Sequence, residues 1–197
     1  MLGYCPQQDP IFEALTVEQN IEYFARIKGI PTNYRGILIE NAISKLGLQD
    51  HRKKPTGTLS GGNKRKVSVA ISIVGNPPII LLDEPSAGMD PEARRFMWSV
   101  IAGITSKKTS AVILTSHLME EAEALSTKMG IMIKGGIFKC FGSSQHIKDK
   151  FGKEKYEVEI KIEVPTHDQL KTLAETEFVD LIDEEFQINI VQALHSL

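Results

Sequence analysis

The chain has 197 residues, a net charge of −2 and two cysteines. That near-neutral balance argues against a dedicated nucleic-acid binder, and Cys5 and Cys140 are too few for a disulfide framework and fit a reducing cytosol. The length suits one or two domains; no stretch reaches the ~18–20 continuous apolar residues that span a bilayer, and no charged-then-apolar signal segment opens the chain.

Residues 13–58 read as helical and carry no catalytic motif. Thr16-Val17-Glu18-Gln19 has the form of a capping box. Val17, Ile21, Phe24 and Ile27 then fall near one helical face, and Gly29 stops the helix. A second helix is expected over Ile37 to Leu46, with Gly47 beyond it. Ordinary core packing accounts for most of these apolar residues.

Leu59-Ser60-Gly61-Gly62-Asn63 follows. Ser60 is a good N-cap, because its hydroxyl accepts a free N–H of the first turn. Gly61 and Gly62 lack a Cβ, so an anion can approach the backbone. The helix should run through Val74 and end at Gly75-Asn76-Pro77-Pro78. Its N-terminus is an anion site in kind, but the dipole supplies only roughly 0.3–1 kcal/mol per charge. Such a turn is half of a phosphate site at most. Lys64-Arg65-Lys66 reads as a solvated face of that helix.

Ile79-Ile80-Leu81-Leu82, bounded by Pro78 and Pro85, reads as a buried parallel strand. Asp83 and Glu84 stand at its carboxyl end, where open α/β sheets bind ligands. Alternation along a strand sends the two carboxylates in different directions. One can serve Mg²⁺ while the other faces a water. A solvated acidic strand end is the bland alternative. A helix over Pro91 to about Thr105 has Pro at its favoured first position. Ala111 to Leu114 reads as a strand leading to His117, which by itself could merely cap the acidic helix that follows. Gly130–Ile133 and Ile137–Phe141 flank Gly135-Gly136 as a hairpin. Beyond Lys155 the character changes: residues 156–164 alternate as a half-wet strand, a helix follows from Thr166, and strands are expected over 178–182 and 186–191. Asp183-Glu184-Glu185 is a turn in this reading.

Five motifs in order resemble the nucleotide-binding domain of an ATP-binding-cassette transporter. Gly3-Tyr4-Cys5-Pro6-Gln7 resembles the Q-loop, and Leu59 to Asn63 the signature motif, with Asn63 where glutamine is more usual. Ile79 to Glu84 resembles Walker B, Ser86-Ala87-Gly88-Met89-Asp90 the D-loop, and Leu114-Thr115-Ser116-His117 the H-loop. The stretches 60–66, 88–95, 116–125 and 140–148 are similar to subfamily A, the lipid exporters. The resemblance implies a partial α/β P-loop NTPase domain over residues 1–151, with a helical and signature subdomain at 13–75. A small α+β, ferredoxin-like regulatory segment would follow at 155–197.

The resemblance also implies roles. Glu84 would be the general base, Asp83 a Mg²⁺ ligand partly through water, Gln7 a sensor of Mg²⁺ and the γ-phosphate, and His117 a γ-phosphate contact. Ser60, Gly61, Gly62 and Asn63 would complete the ATP site of a second nucleotide-binding domain, and Asp90 would couple the two sites. ATP and Mg²⁺ are the implied cofactors. Transmembrane domains that carry a lipid substrate are the other implied partners, which places the chain at the cytoplasmic face of a membrane.

Gly-x-x-x-x-Gly-Lys-[Ser/Thr], the loop that wraps phosphates, occurs nowhere in the sequence. The expectation is therefore a piece of a larger transporter, or a shortened gene product, that turns over no ATP alone. Two other readings stay open. One is an inactive cassette fragment that acts only by pairing. The other is a soluble, non-transport cassette ATPase, although the short span from Gln7 to Leu59 leaves no room for the long coiled coil of chromosome-type relatives.

Overall fold

The structure is a computed structural model that describes residues 2–106 and 109–151, all within one compact unit, Met1–Lys153. The elements expected beyond Lys155, and with them the regulatory segment, lie outside the described residues.

Three strands form a parallel sheet in the order β1 (Leu2–Cys5), β2 (Ile79–Asp83) and β3 (Ala111–Thr115), with β2 in the middle. The strand expected at Ile79–Leu82 is parallel, but it is buried on one side only. Ile80 and Leu82 are buried, whereas Ile79 keeps 47% of its surface. Successive side chains point to opposite faces, and the face that carries Leu2, Tyr4, Ile79 and Ile113 is exposed. β1 was not anticipated as a strand; four residues are too short a pattern to read alone. Gly3 makes it possible, since a Cβ there would stand 2.3 Å from the Ser72 carbonyl oxygen.

Helix α1 (Val17–Ile27) starts at the expected capping box: Thr16 Oγ1 accepts from Gln19 N at 3.2 Å and Gln19 Oε1 accepts from Thr16 N at 2.9 Å. A Thr cap of this kind contributes about 1 kcal/mol. Gly29, at φ +71°, turns the chain out of it. Helix α2 (Thr32–Lys45) begins earlier than the expected Ile37. Its first turn, with Thr32, Asn33 and Tyr34, is exposed, so the apolar pattern marks only the later turns. Helix α3 (Gly61–Ile73) is capped by Ser60 and ends before Gly75 and Asn76, both at positive φ.

α3 is the hub of the core. Val67, Val69, Ala70, Ile71 and Ile73 are buried against Val17, Ile21 and Ala25 of α1, Ile39 and Ile43 of α2, and Ile80 and Leu82 of β2. Each such aliphatic side chain gains ~1.5–3 kcal/mol on full burial. A helix clamped on several sides holds the turn at its N-terminus in a fixed place.

The rest follows the expected order. Helix α4 spans Pro91–Thr105 and α5 Met119–Leu125. β4 (Met129–Ile133) and β5 (Ile137–Gly142) form the antiparallel hairpin, with Gly135 and Gly136 at φ +94° and +76° in its turn. A helix that was not anticipated, α6 (Ser144–Phe151), closes the described region. No helix among the described residues is long and apolar enough to cross a membrane.

Candidate active site

Asp83 is the last residue of β2, and Glu84 leaves the strand in the left-handed region at φ +49°. That conformation is costly for a residue with a Cβ, on the order of 1–3 kcal/mol. The turn, rather than strand alternation, separates the two carboxylates. Asp83 Oδ1 accepts from Thr115 Oγ1 at 2.5 Å, from the neighbouring β3. Glu84 is held at both ends of its peptide: its N–H donates to Thr115 O at 3.2 Å and Thr115 Oγ1 at 3.1 Å, and its carbonyl accepts from Arg65 Nη2 at 3.0 Å and Ala87 N at 3.1 Å.

The Glu84 carboxylate lies between two of the other expected site residues. Gln7 Nε2 donates to Glu84 Oε2 at 3.4 Å. His117 Nδ1 stands 3.2 Å from Glu84 Oε1. Gln7 follows β1, Glu84 follows β2 and His117 follows β3, so the carboxyl ends of three adjacent parallel strands bring them together. The His117 side chain is 65% exposed and that of Glu84 26%. A ligand therefore has access to this cluster.

The residues fit a hydrated magnesium ion that arrives with phosphate. Among the described residues no group of three or more His, Cys, Asp or Glu could hold a metal alone. Mg²⁺ asks for less: one or two carboxylates, with phosphate oxygens and waters filling the octahedron. Half-buried Asp83, with one oxygen already oriented by Thr115, has the chemistry that such a ligand needs.

The remaining expected residues stand elsewhere. Among the described residues, Ser60, Gly61, Gly62 and Asn63 make no hydrogen bond to Gln7, Asp83, Glu84 or His117. Ser60 Oγ accepts from Asn63 N at 3.4 Å, and Asn63 Nδ2 lies 3.3 Å from His51 Nε2. Gly61 is exposed, with open space where a Cβ would be. Asp90 caps α4, accepting from Ala93 N at 2.9 Å and Glu92 N at 3.1 Å. The Ala93 amide in particular holds its carboxyl below the usual carboxylate range.

Two residues escaped the sequence reading. Thr115 ties the Asp83 carboxylate and the Glu84 backbone N–H to β3, and only the strand pairing Asp83↔Thr115 reveals it. The other is Arg65. Lys64-Arg65-Lys66 is not a solvated face: Arg65 is 4% exposed, Lys64 pairs with Glu13 at 2.7 Å, and Lys66 Nζ lies 4.8 Å over the Phe96 ring. Arg65 Nη1 donates to Pro6 O at 2.6 Å, Gln7 O at 3.1 Å and Asp9 Oδ1 at 2.9 Å, and Nη2 donates to the carbonyls of Asp83 and Glu84. A signal was present: Arg65 shares the helical period of Ser68, Val69 and Ser72, all buried.

Residues 1–87 match the family model for the ABC transporter. The retinal-specific phospholipid-transporting ATPase ABCA4 of Bos taurus is 44% identical over 97% of this chain and 8% of its own length. ATP-binding cassette sub-family A member 7 of Mus musculus is 48% identical over 77% of this chain and 7% of its own length. Phospholipid-transporting ATPase ABCA3 of Homo sapiens is 45% identical over 91% of this chain and 10% of its own length. The chain thus spans a tenth or less of the length of these curated relatives.

Proposed function

The chain belongs to the ATP-binding-cassette transporter family, subfamily A type, and on that footing we propose that it is the ATP-binding and ATP-hydrolysing part of a membrane transporter that moves lipid. The observation that carries this reading is the placement of Glu84 Oε1 and Oε2 between His117 and Gln7 at the carboxyl ends of three parallel strands. The lipid cargo rests on relatives whose names describe phospholipid-transporting ATPases.

Glu84 acts as general base. It takes a proton from the water that attacks the γ-phosphate as the bond to the β–γ bridging oxygen breaks and ADP leaves, while Gln7 and His117 flank its two oxygens. Each carboxylate oxygen has more than one lone pair, so the Gln7 hydrogen bond and the neighbouring His117 ring leave room for the water. Phosphoryl transfer needs positioning and charge stabilisation more than covalent chemistry, and strand ends supply positioning. Asp83, with Gln7, would hold Mg²⁺. Bound there, the ion would neutralise charge on the phosphates. His117 contacts the γ-phosphate once nucleotide enters. Ser60 to Asn63, set apart from this cluster, serve the ATP of a second nucleotide-binding domain. Asp90 fixes the turn that leads from Glu84 into α4. In the parent protein this domain sits at the cytoplasmic face, against the transmembrane domains.

Glu84→Gln in the full-length transporter tests the reading. The amide cannot take the proton, so nucleotide should stay bound while turnover falls by roughly 10²–10⁴-fold, the usual worth of a general base. A turnover number equal to that of the wild type removes Glu84 from the role.

A further inference from the structure

We infer that Arg65 is a positioning residue for the hydrolytic centre: it holds the Gln7 segment and the Glu84 turn at a fixed separation and ties both to the helix that begins at Ser60. The inference rests on Glu84 being the base.

One guanidinium links two segments that are remote in sequence. Nη1 serves Pro6, Gln7 and Asp9; Nη2 serves Asp83 and Glu84. These bonds hold backbone rather than side chains, apart from Asp9, so they set where Gln7 and Glu84 start from. At Glu84 the effect is sharpest, because its left-handed backbone is held by Arg65 on the carbonyl side and Thr115 on the amide side. Arg65 is buried and its terminal nitrogens are all engaged. It therefore acts through Gln7 and Glu84 and does not touch nucleotide. It also sits one helical turn after Gly61 on α3, so a displacement of the turn at Ser60–Gly62 reaches Gln7 and Glu84 through this side chain.

A lysine cannot substitute. Its ammonium is a compact point charge without the planar fork that reaches both segments at once. We would make Arg65→Lys and Asp9→Asn in the full-length protein, each alone and combined with Glu84→Gln, and measure kcat and KM for ATP. Misplacement of a catalytic group by about 1 Å costs on the order of 10²-fold. Arg65→Lys should lower kcat by up to that factor and by more than it raises KM, and Asp9→Asn, which loosens the anchor but keeps the carbonyl bonds, should lower kcat less. Neither should slow the Glu84→Gln protein further, because residues that act as a unit are not additive. If Arg65→Lys fails to fold, Asp9→Asn carries the test.

An unchanged kcat in a folded variant, a loss explained by KM, or losses that add to that of Glu84→Gln would each overturn the proposal. Glu84→Gln alone separates the two readings. Normal turnover there removes the base and the proposal with it, whereas a slow Glu84→Gln protein beside an unaffected Arg65→Lys protein removes only the proposal.

Discussion

Thr115 Oγ1 donates to Asp83 Oδ1 at 2.5 Å across the β2–β3 pair. The same hydroxyl oxygen accepts from the Glu84 N–H at 3.1 Å. One small side chain thus orients one carboxylate and props the backbone of the other.

Thr115→Val keeps the shape and the strand but removes the hydroxyl. Hydrogen-bond partners of a metal-binding carboxylate are typically worth ~10–100-fold in metal affinity or activity. The Mg²⁺ concentration for half-maximal ATP turnover by the full-length protein should rise by a factor in that range, and Thr115→Ser should restore most of it. Thr115 is exposed, so the melting temperature should hardly move. A Mg²⁺ titration that superimposes on the wild type would remove Thr115 from the site.

How legible this architecture is from sequence depends on how local each interaction is. The capping box at Thr16 and Gln19 closes within four residues, so α1 could be read outright. The Gly135-Gly136 hairpin is equally local. Glu84, Gln7 and His117 were recognisable as motifs, but their meeting depends on β1 pairing with β2 and β2 with β3, partners remote along the chain. β1 itself was missed because four residues carry too little pattern. Arg65 is hard to read for a different reason. Its charge suggested solvent, and the serines at 68 and 72 masked the buried stripe that it shares. A buried arginine is rare unless it is paired, and apart from Asp9 the partners of its two terminal nitrogens are backbone carbonyls that no sequence pattern displays.

Gly3 is the point where β1 presses on α3. A Cβ there would meet the Ser72 carbonyl oxygen at 2.3 Å and Pro77 Cγ at 2.9 Å, and the first of these is backbone that cannot swing away. Gly3→Ala must push β1 off the helix. Overpacking of this kind typically costs ~1–3 kcal/mol. Chemical denaturation of the chain should show a loss in that range, and in the full-length protein kcat should fall as well, since Gln7 lies directly beyond β1. Stability and turnover both equal to the wild type would mean that the strand relaxes at no cost.

The two cysteines should differ sharply toward alkylating reagents. Cys5 is fully buried, with its Sγ 3.3 Å from Ser68 Oγ, whereas Cys140 is half-buried in the β4–β5 hairpin. Burial pushes the Cys5 thiol above its ordinary range and outweighs the opposing pulls of Arg65 and the Ser68 hydrogen bond. The thiolate is the reactive form, so Cys5 is protected twice, by access and by protonation. The sign for stability follows from linkage. A raised thiol pKa contributes stability that is complete below the unfolded value, 9.0, and is lost as pH climbs through the folded value. Maleimide or iodoacetamide at neutral pH should label Cys140 first, and Cys5 only after denaturant is added. Above pH 9 the chain should lose stability and Cys5 should begin to label. Peptide mass spectrometry of the labelled chain checks this; rapid labelling of Cys5 at neutral pH would place β1 off its helix.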